Sequence, residues 1–411
     1  MRTTIALAAL LLSIAVLPSH RARAQAADWF QWRGPNRDGH SEETGLLKQW
    51  PPGGPRLVWK TSGAGTGYSS LSASNGRLYT LGARDVEYAM AFDAATGRKL
   101  WETPLGRRYR NDQGDGPRST PTVDGDRLYV FGGSGDLASL DAATGKRIWS
   151  VNVVQTFGGA TPPWGYSESP LIISDRIVLN AGGRRASIVA INKTDGTTLW
   201  QNQGDEAAYS SPMLLRTGSL AQVVFFTSRR ALAVDPRDGR LLWSYDRVAN
   251  NTANIATPIV RGTRVFFSSD YGTGAALLDV KASGNIASAS EVYFTREMRN
   301  HHASSVVVGD NIYGFSSSIL TALKFDTGDR LWRDRSVGKG SLIYGDERLY
   351  LYSEDGTVGL ADASADAYHE RGRFSIQPST GAPTWAHPII TNGKFILRDQ
   401  DVIYAYDVKA R

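Results

Sequence analysis

The chain has 411 residues, of which 41% are hydrophobic and 21% are charged, a balance typical of globular proteins and unlike that of disordered ones. Its 43 glycines and its 10% aromatic residues favour many short strands joined by tight turns. It contains no cysteine, which excludes disulfides, a lipid-modified cysteine, a thiolate metal site and a haem attached through C-x-x-C-H.

Residues 1–26 have the pattern of a cleavable export signal. Arg2 supplies the positive start, and the apolar run Ile5–Leu17 is short for a membrane span. The small-x-small triplet that ends at Ala26 predicts cleavage after that residue; the alternative is an uncleaved anchor. We therefore expect a soluble periplasmic or secreted protein with no transmembrane segment after cleavage.

The formal charge of +6 overstates the basic character of the mature chain. Residues 1–26 contain Arg2, Arg21 and Arg23 and no acidic residue, so their removal lowers the charge from +6 to +3. A charge this small is weak support for nucleic-acid binding, and we expect no nucleic-acid partner.

Residues 27–55 are rich in glycine, proline and polar residues and contain three tryptophans. A segment with this composition is too irregular for a domain of its own. We predict that it wraps and plugs the domain that follows, which spans residues 56–411.

That domain is built from a repeated phrase. "LDAATGKRIW" (Leu140–Trp149) returns with variations that end at Trp101, Trp200, Trp243 and Trp332, and two degenerate copies end at Phe294 and Phe374. Eight β-rich runs such as "DRLYVFG" (126–132) recur about every 40–50 residues, the spacing of four-stranded propeller blades. The sequence therefore predicts an all-β fold, an eight-bladed β-propeller of four-stranded antiparallel blades.

Within the phrase, an Asp caps a turn, a Gly adopts the left-handed conformation, and the Trp lies on the outermost strand. A Ca²⁺-binding loop is the weaker alternative, because the turn offers one acid and calcium takes about 6–8 oxygen ligands. The last blade has only three strands of its own. Residues 56–61, "RLVWKT", predict the missing strand, with Trp59 in the place of the phrase's Trp.

The phrase and its β-rich runs resemble the repeat of the pyrroloquinoline-quinone (PQQ) propeller family over residues 56–411. The segment before them resembles the N-terminus of exported bacterial members labelled alcohol-dehydrogenase-like. The family includes quinoprotein dehydrogenases and the lipoprotein propeller of the outer-membrane assembly machinery, which carries the repeats without binding PQQ. The resemblance thus implies the fold and leaves the activity open.

Aligning the blades on the "S-[ST]-P" signal before each first strand predicts a ring of eight residues at one mouth of the channel. Its members are Tyr68, Arg118, Ser167, Tyr209, Ile255, His302, Lys339 and Trp385. Cations and aromatic faces suit a small planar or anionic ligand such as PQQ. The alternative is an ordinary solvated mouth.

The resemblance to quinoprotein dehydrogenases implies further site residues. Glu168 and Asn254 correspond to the Glu and Asn that hold Ca²⁺ beside PQQ in those enzymes. Their catalytic Asp has no counterpart here, and the chain is shorter and lacks their vicinal-cysteine disulfide. His302 is the candidate general base. Adjacent His301 and His302 would point to opposite faces of a strand, so they are not expected to share a metal.

Three functions remain open at this point. The first is a non-catalytic binding or scaffold module with a periplasmic protein or a small ligand as partner, expected to be a monomer. The second is a PQQ- and Ca²⁺-dependent alcohol or sugar dehydrogenase of reduced size. The third is a polymer-binding module, suggested by Tyr68, Tyr209 and Trp385.

Overall fold

The computed structural model describes residues 28–183, 185 and 187–410. These residues form eight sheets around a central channel, which confirms the predicted eight-bladed propeller. The predicted export signal, residues 1–26, lies outside the described residues. Strands β1 (His40–Ser41) and β2 (Arg56–Thr61) precede the first blade.

Each blade's strands run outward from the channel in chain order, and neighbouring first strands lie against one another. Blades one to four contain β3 (Ser72–Ser74), β4 (Arg77–Ala83), β5 (Val86–Asp93), β6 (Lys99–Arg107); β7 (Thr122–Asp124), β8 (Arg127–Phe131), β9 (Asp136–Asp141), β10 (Arg147–Asn152); β11 (Leu171–Ile173), β12 (Arg176–Asn180), β13 (Ile188–Asn192), β14 (Thr198–Asn202); and β15 (Met213–Thr217), β16 (Leu220–Phe226), β17 (Ala231–Val234), β18 (Leu241–Tyr245). A short helix, α1 (Val153–Phe157), follows β10.

Blades five to eight follow the same order. They contain β19 (Ile259–Arg261), β20 (Arg264–Ser269), β21 (Gly274–Ser283), β22 (Ile286–Thr295); β23 (Val306–Val308), β24 (Asn311–Ser316), β25 (Ile319–Lys324), β26 (Arg330–Asp334); β27 (Gly340–Gly345), β28 (Arg348–Ser353), β29 (Thr357–Asp362), β30 (Glu370–Ser375); and β31 (Ile389–Thr391), β32 (Lys394–Asp399), β33 (Val402–Asp407). The fourth strand of blade eight is β2, which pairs antiparallel with β33 and places Trp59 opposite Ala405. The predicted closure is therefore confirmed.

In the blades that contain it, the phrase forms the turn and the outer strand, as predicted. In blade two, the Asp141 carboxylate accepts hydrogen bonds from the backbone N and the hydroxyl of Thr144, at 2.8 and 2.6 Å. Gly145 has φ +75°, and the register shifts by one residue between Arg147 and Trp149. The Asp, the Gly and the bulge together turn the Trp toward the next blade.

Five of the turns also receive an aromatic side chain of the preceding blade, on Gly97, Gly145, Gly196, Gly239 and Gly328. The indole of Trp101 lies against Gly145, where an added Cβ would approach a ring atom to 2.5 Å, and its Nε1 donates to Ala142 O at 3.2 Å. Trp149 lies in the same way on Gly196 and donates to Lys193 O at 3.1 Å. The phrase repeats because blades two and three, among others, both offer and accept this contact, whereas Trp243 of blade four donates to Gln222 Oε1 of its own blade at 2.8 Å.

Two degenerate positions differ from the prediction. In blade five the register shift makes Tyr293, not Phe294, the residue equivalent to the Trp, and its hydroxyl donates to Phe325 O at 2.9 Å. In blade seven the equivalent residue is Gly372, not Phe374. Trp50 from the N-terminal segment fills the space beside this glycine, with its ring centre 5.4 Å from that of Phe374. Spacing failed in these two blades because neither has, before its outer strand, the Thr-Gly or Asp-Gly turn that precedes the Trp in blades one to four and six.

Candidate functional site

The eight residues of the predicted ring all line one cup-shaped cavity of about 380 Å³ at the channel mouth. Eight further residues line it: Trp32, Gln113, Trp164, Ser211, Thr257, Tyr271, His301 and His387. The ring assembles because each of its residues precedes the first strand of a blade, and those strands converge on the axis. The volume falls within the range of small-molecule sites, roughly 300–1,000 Å³.

Small hydroxyls tie the blades together below the ring. Ser70 Oγ donates to His387 O at 2.6 Å, across the junction between blades one and eight. Ser169 Oγ accepts from Thr120 N at 3.0 Å, and Ser211 Oγ accepts from Ser169 N at 2.9 Å. These hydroxyls satisfy backbone groups where the sheets converge.

The floor of the cup is made by the N-terminal segment, which crosses the channel. Arg33 donates to Ser304 O and Ser305 O of blade six, at 3.2 and 2.6 Å. Arg37 donates to Ser169 O of blade three at 2.9 Å. Between them Trp32 donates from Nε1 to Thr257 Oγ1 at 2.8 Å and lines the cavity. Strand β1 then pairs parallel with β27, so blade seven has five strands.

Aromatic rings form much of the cavity wall. Tyr68 and Trp385 lie with their ring centres 4.8 Å apart, and Trp164 stacks on Tyr209 at 5.3 Å with 28° between the planes. Trp164 lies in the loop that precedes the first strand of blade three, where no repeat signal marks it. Tyr271 was missed for the same reason, because it occupies a turn between strands.

Arg118 is held between two tyrosines. Its guanidinium carbon lies 5.4 Å from the ring centres of both Tyr68 and Tyr109. Its Nη1 and Nη2 donate to the carbonyls of Gly116 and Gly114, each at 2.7 Å. Burial lowers the pKa of this guanidinium, and the charge of Glu87 opposes that shift, although no salt bridge joins Arg118 to a carboxylate among the described residues. The cup thus contains a cation whose bonds all go to neutral groups.

Glu354 organises the opposite wall, although the sequence did not single it out. Its Oε1 accepts from Trp385 Nε1 at 2.6 Å and pairs with Lys339 Nζ at 3.0 Å. His302 Nδ1 lies 3.4 Å from the same oxygen. Glu354 occupies the turn between β28 and β29, and the charge of Lys339 is therefore balanced within the wall.

His302 and His387 lie deep in the cup. Burial lowers the pKa of His302 well below its usual value and that of His387 to about 3. Neither ring nitrogen of His302 makes a hydrogen bond within the described chain, since the approach to Glu354 is poorly aligned. Both imidazoles are neutral at pH 7, and a base with so low a pKa accepts protons weakly. The geometry offers the proposed base role of His302 little support.

Glu168 and Asn254 do not line the cup. Glu168 is 3% exposed, its Oε1 accepts from Asn180 N at 2.9 Å, and burial raises its pKa to about 8. Asn254 is fully buried; it donates to Thr227 O at 2.9 Å and accepts from Ser269 Oγ at 3.0 Å. A carboxyl that burial favours as neutral and an amide engaged by its neighbours do not fit a calcium site.

Two further features concern metal binding and membrane crossing. Within residues 28–183, 185 and 187–410, no three His, Cys, Asp or Glu side chains are grouped so as to hold a metal ion. No helix in the described part of the chain has the length and apolar character needed to cross a membrane.

Known proteins share this fold. The family model described as outer membrane protein assembly factor BamB matches residues 85–334. BamB of Yersinia pestis is 24% identical over 388 residues, which cover 86% of this chain and 88% of that protein.

Two solved structures have the same architecture at low identity. BamB of Moraxella catarrhalis has a TM-score of 0.63 and 15% identity, over 86% of this chain and 99% of that one. A europium-containing methanol dehydrogenase has a TM-score of 0.66 and 12% identity, over 93% and 90%. The fold thus serves both an assembly factor and an enzyme. On the family match, this chain belongs to the PQQ-repeat β-propeller family whose model is described as outer membrane protein assembly factor BamB.

Proposed function

We propose that this chain is an exported, non-catalytic β-propeller that acts as a binding or scaffold module in the periplasm. The observation that carries the proposal is the engagement of Glu168 and Asn254 in backbone hydrogen bonds away from the cup. The residues that correspond to the calcium ligands of the quinoprotein enzymes therefore support the protein's own structure. The plugged, aromatic cup is suited to holding a ligand.

The location and partner follow from other observations. Residues 1–26 have the pattern of an export signal. We propose a periplasmic monomer with an envelope protein or a small planar or anionic ligand as its partner. The relatives named outer membrane assembly factors support the protein-binding role.

The second candidate is a PQQ-dependent alcohol or sugar dehydrogenase of reduced size. It is favoured by Arg118, Lys339 and Trp385 at the channel mouth and by the fold shared with a methanol dehydrogenase. Bound PQQ would supply the electron acceptor for alcohol oxidation. The cation that would polarise it has no fitting ligand set among the described residues.

Activity and cofactor retention separate the two candidates. The chain from residue 27 is purified, incubated with PQQ and Ca²⁺, and assayed for dye reduction over a panel of alcohols and sugars, with an active quinoprotein dehydrogenase as positive control. We expect no turnover and loss of PQQ on gel filtration. Turnover, together with saturable PQQ binding that Arg118→Ala or Glu168→Ala abolishes, would overturn the non-catalytic proposal. Fractionation of cells that express residues 1–411 tests export independently.

A further inference from the structure

The lining of the cup has an unusual composition for an apolar pocket. Of its 16 lining residues, six are Trp or Tyr, and Ile255 is the one aliphatic side chain among them. Every other lining side chain can make hydrogen bonds. The apolar surface therefore consists of flat ring faces, and polar groups surround them. This combination matches a ligand that has C–H faces and hydroxyl edges, which is the chemistry of a sugar ring.

Three polar side chains of the cup have hydrogen-bonding capacity to spare. The Tyr209 hydroxyl accepts from Trp164 N at 3.3 Å and keeps its own proton for another partner. The Ser167 hydroxyl and the Gln113 side-chain amide line the cavity and make no hydrogen bond within the described chain. Hydroxyl and amide groups both donate and accept, as sugar hydroxyls do, whereas a carboxylate accepts only.

The charges in the cup favour an acidic ligand over a neutral or cationic one. Lys339 is balanced by Glu354 at 3.0 Å, and the imidazoles of His302 and His387 are neutral. Arg118 remains a largely buried cation that forms no salt bridge among the described residues. The acid whose charge acts on it, Glu87, accepts hydrogen bonds from Tyr109 N and Gly133 N outside the cup lining, and burial raises the pKa of that carboxyl to about 7. A charge removed from water is stable when an opposite charge meets it, so the cup is completed by an anionic group. A cationic ligand would be repelled by Arg118.

We propose that the cup binds a sugar acid, with the carboxylate of the ligand paired to Arg118 and its hydroxyls bonded to Gln113, Ser167 and Tyr209. The inference rests on the proposed function, because it names the class of small ligand that the binding module takes. The ring faces of Tyr68 and Trp385 lie beside Arg118 along the wall and would stack on the C–H face of the sugar. Recognition would then use charge for the acid and aromatic faces for the ring.

The experiment compares three sets of probes on the purified chain from residue 27. The sugar acids are glucuronate, galacturonate and their disaccharides; the neutral sugars are glucose and galactose; the aromatic acids are benzoate and phthalate. Binding is measured by calorimetry and by the change in tryptophan fluorescence, since three tryptophans line the cup. We expect saturable binding of at least one sugar acid, about tenfold tighter than its neutral parent, the effect of one charge-assisted hydrogen bond.

Variants locate the binding. Arg118→Gln should remove the preference for the acid while leaving affinity for the neutral parent, and Arg98→Gln, an exposed arginine in a turn of blade one, should change neither. Tyr209→Phe keeps the ring and removes the hydroxyl, so it should weaken sugar acids and leave benzoate unaffected. Melting temperatures identify variants that fail to fold; if Arg118→Gln does, Arg118→Lys and Tyr209→Phe still test the site.

Three results would overturn the inference: aromatic acids bind and sugar acids do not, neutral sugars bind as tightly as their acids, or none of the saccharides binds. None of these results implies dye reduction with PQQ and Ca²⁺, which is the observation that would refute the non-catalytic function. The two proposals therefore fail separately.

Discussion

Arg398 joins the two ends of the propeller through a buried network, and its removal should open the ring. The side chain extends from β32 of blade eight and is fully buried. It makes six hydrogen bonds, to the carbonyls of Gln400, Ser69, Leu81, Ala64 and Gly65 and to the Thr80 hydroxyl. Five of the six cross to blade one or to the chain that leads into it.

The size of the effect follows from burial. Desolvation lowers the pKa of Arg398 to about 10, so part of the hydrogen-bond energy offsets the cost of burying the charge. Arg398→Met keeps the length and removes every donor, which leaves buried carbonyls without a partner. We expect a loss of about 3–5 kcal/mol in the free energy of unfolding, the usual cost of breaking a buried polar network. That loss corresponds to about 4–6 °C in Tm for a chain of this size.

Urea and thermal unfolding, followed by tryptophan fluorescence, measure the change. Arg56→Met is the matched control, because Arg56 also links β2 to blade eight, through Asp407 at 2.8 Å, but its side chain is 62% exposed. Exposed pairs contribute at most about 1 kcal/mol, so this variant should unfold almost as the parent does. Equal losses in the two variants would refute the argument that buried hydrogen bonding closes the ring.

Three other changes test the packing and the buried acid. Gly145→Ala should lower the free energy of unfolding in urea by about 1–3 kcal/mol, because strain at φ +75° adds to a clash with Trp101. Gly125→Ala is the control, since that glycine has φ +64° with open space around it and the variant has the backbone strain alone. Equal losses in the two variants would contradict the contact between Trp101 and Gly145. Trp50→Ala should cost about 3–5 kcal/mol by leaving a cavity between blades seven and eight, and a loss under about 1 kcal/mol would show that the N-terminal segment does not stabilise that interface. Burial raises the pKa of Glu168 from 4.5 to about 8, so the contribution of this carboxyl to folding stability is fully present below pH 4.5 and is lost as pH rises through 8. Glu168→Gln should therefore flatten the decline in the free energy of unfolding between pH 5 and 8.5. An unchanged slope would assign that decline to other groups.

Much of the fold and part of the site could be predicted because the repeat carries its own geometry. A residue at one position of the phrase occupies the same place in every blade, so the ring from Tyr68 to Trp385 could be assembled by alignment alone. The closure by β2 followed from a missing strand at one end and a spare one at the other. The repeat was enough to predict a residue's position wherever neighbouring blades contain the same phrase.

The prediction from spacing was wrong in blades five and seven, which lack the Thr-Gly or Asp-Gly turn before the outer strand. Phe294 and Phe374 were chosen by spacing, but Tyr293 and the Trp50–Gly372 pair hold those places. Glu168 and Asn254 were chosen by resemblance to the enzymes, and their side chains are engaged outside the cup. A resemblance transfers a position in the fold, whereas a ligand role also needs free lone pairs facing the cavity.

The sequence by itself determined the blade count, the turn chemistry and the closure of the ring, because those features depend on contacts between residues close together or related by the repeat. Only the tertiary structure decided the chemistry of the cup. Glu354 of blade seven accepts a hydrogen bond from Trp385 of blade eight, and Trp32, which lies outside the repeat, donates to Thr257 of blade five. Such contacts depend on how the eight sheets and the N-terminal segment pack around the channel. No pattern within a single blade predicts that packing.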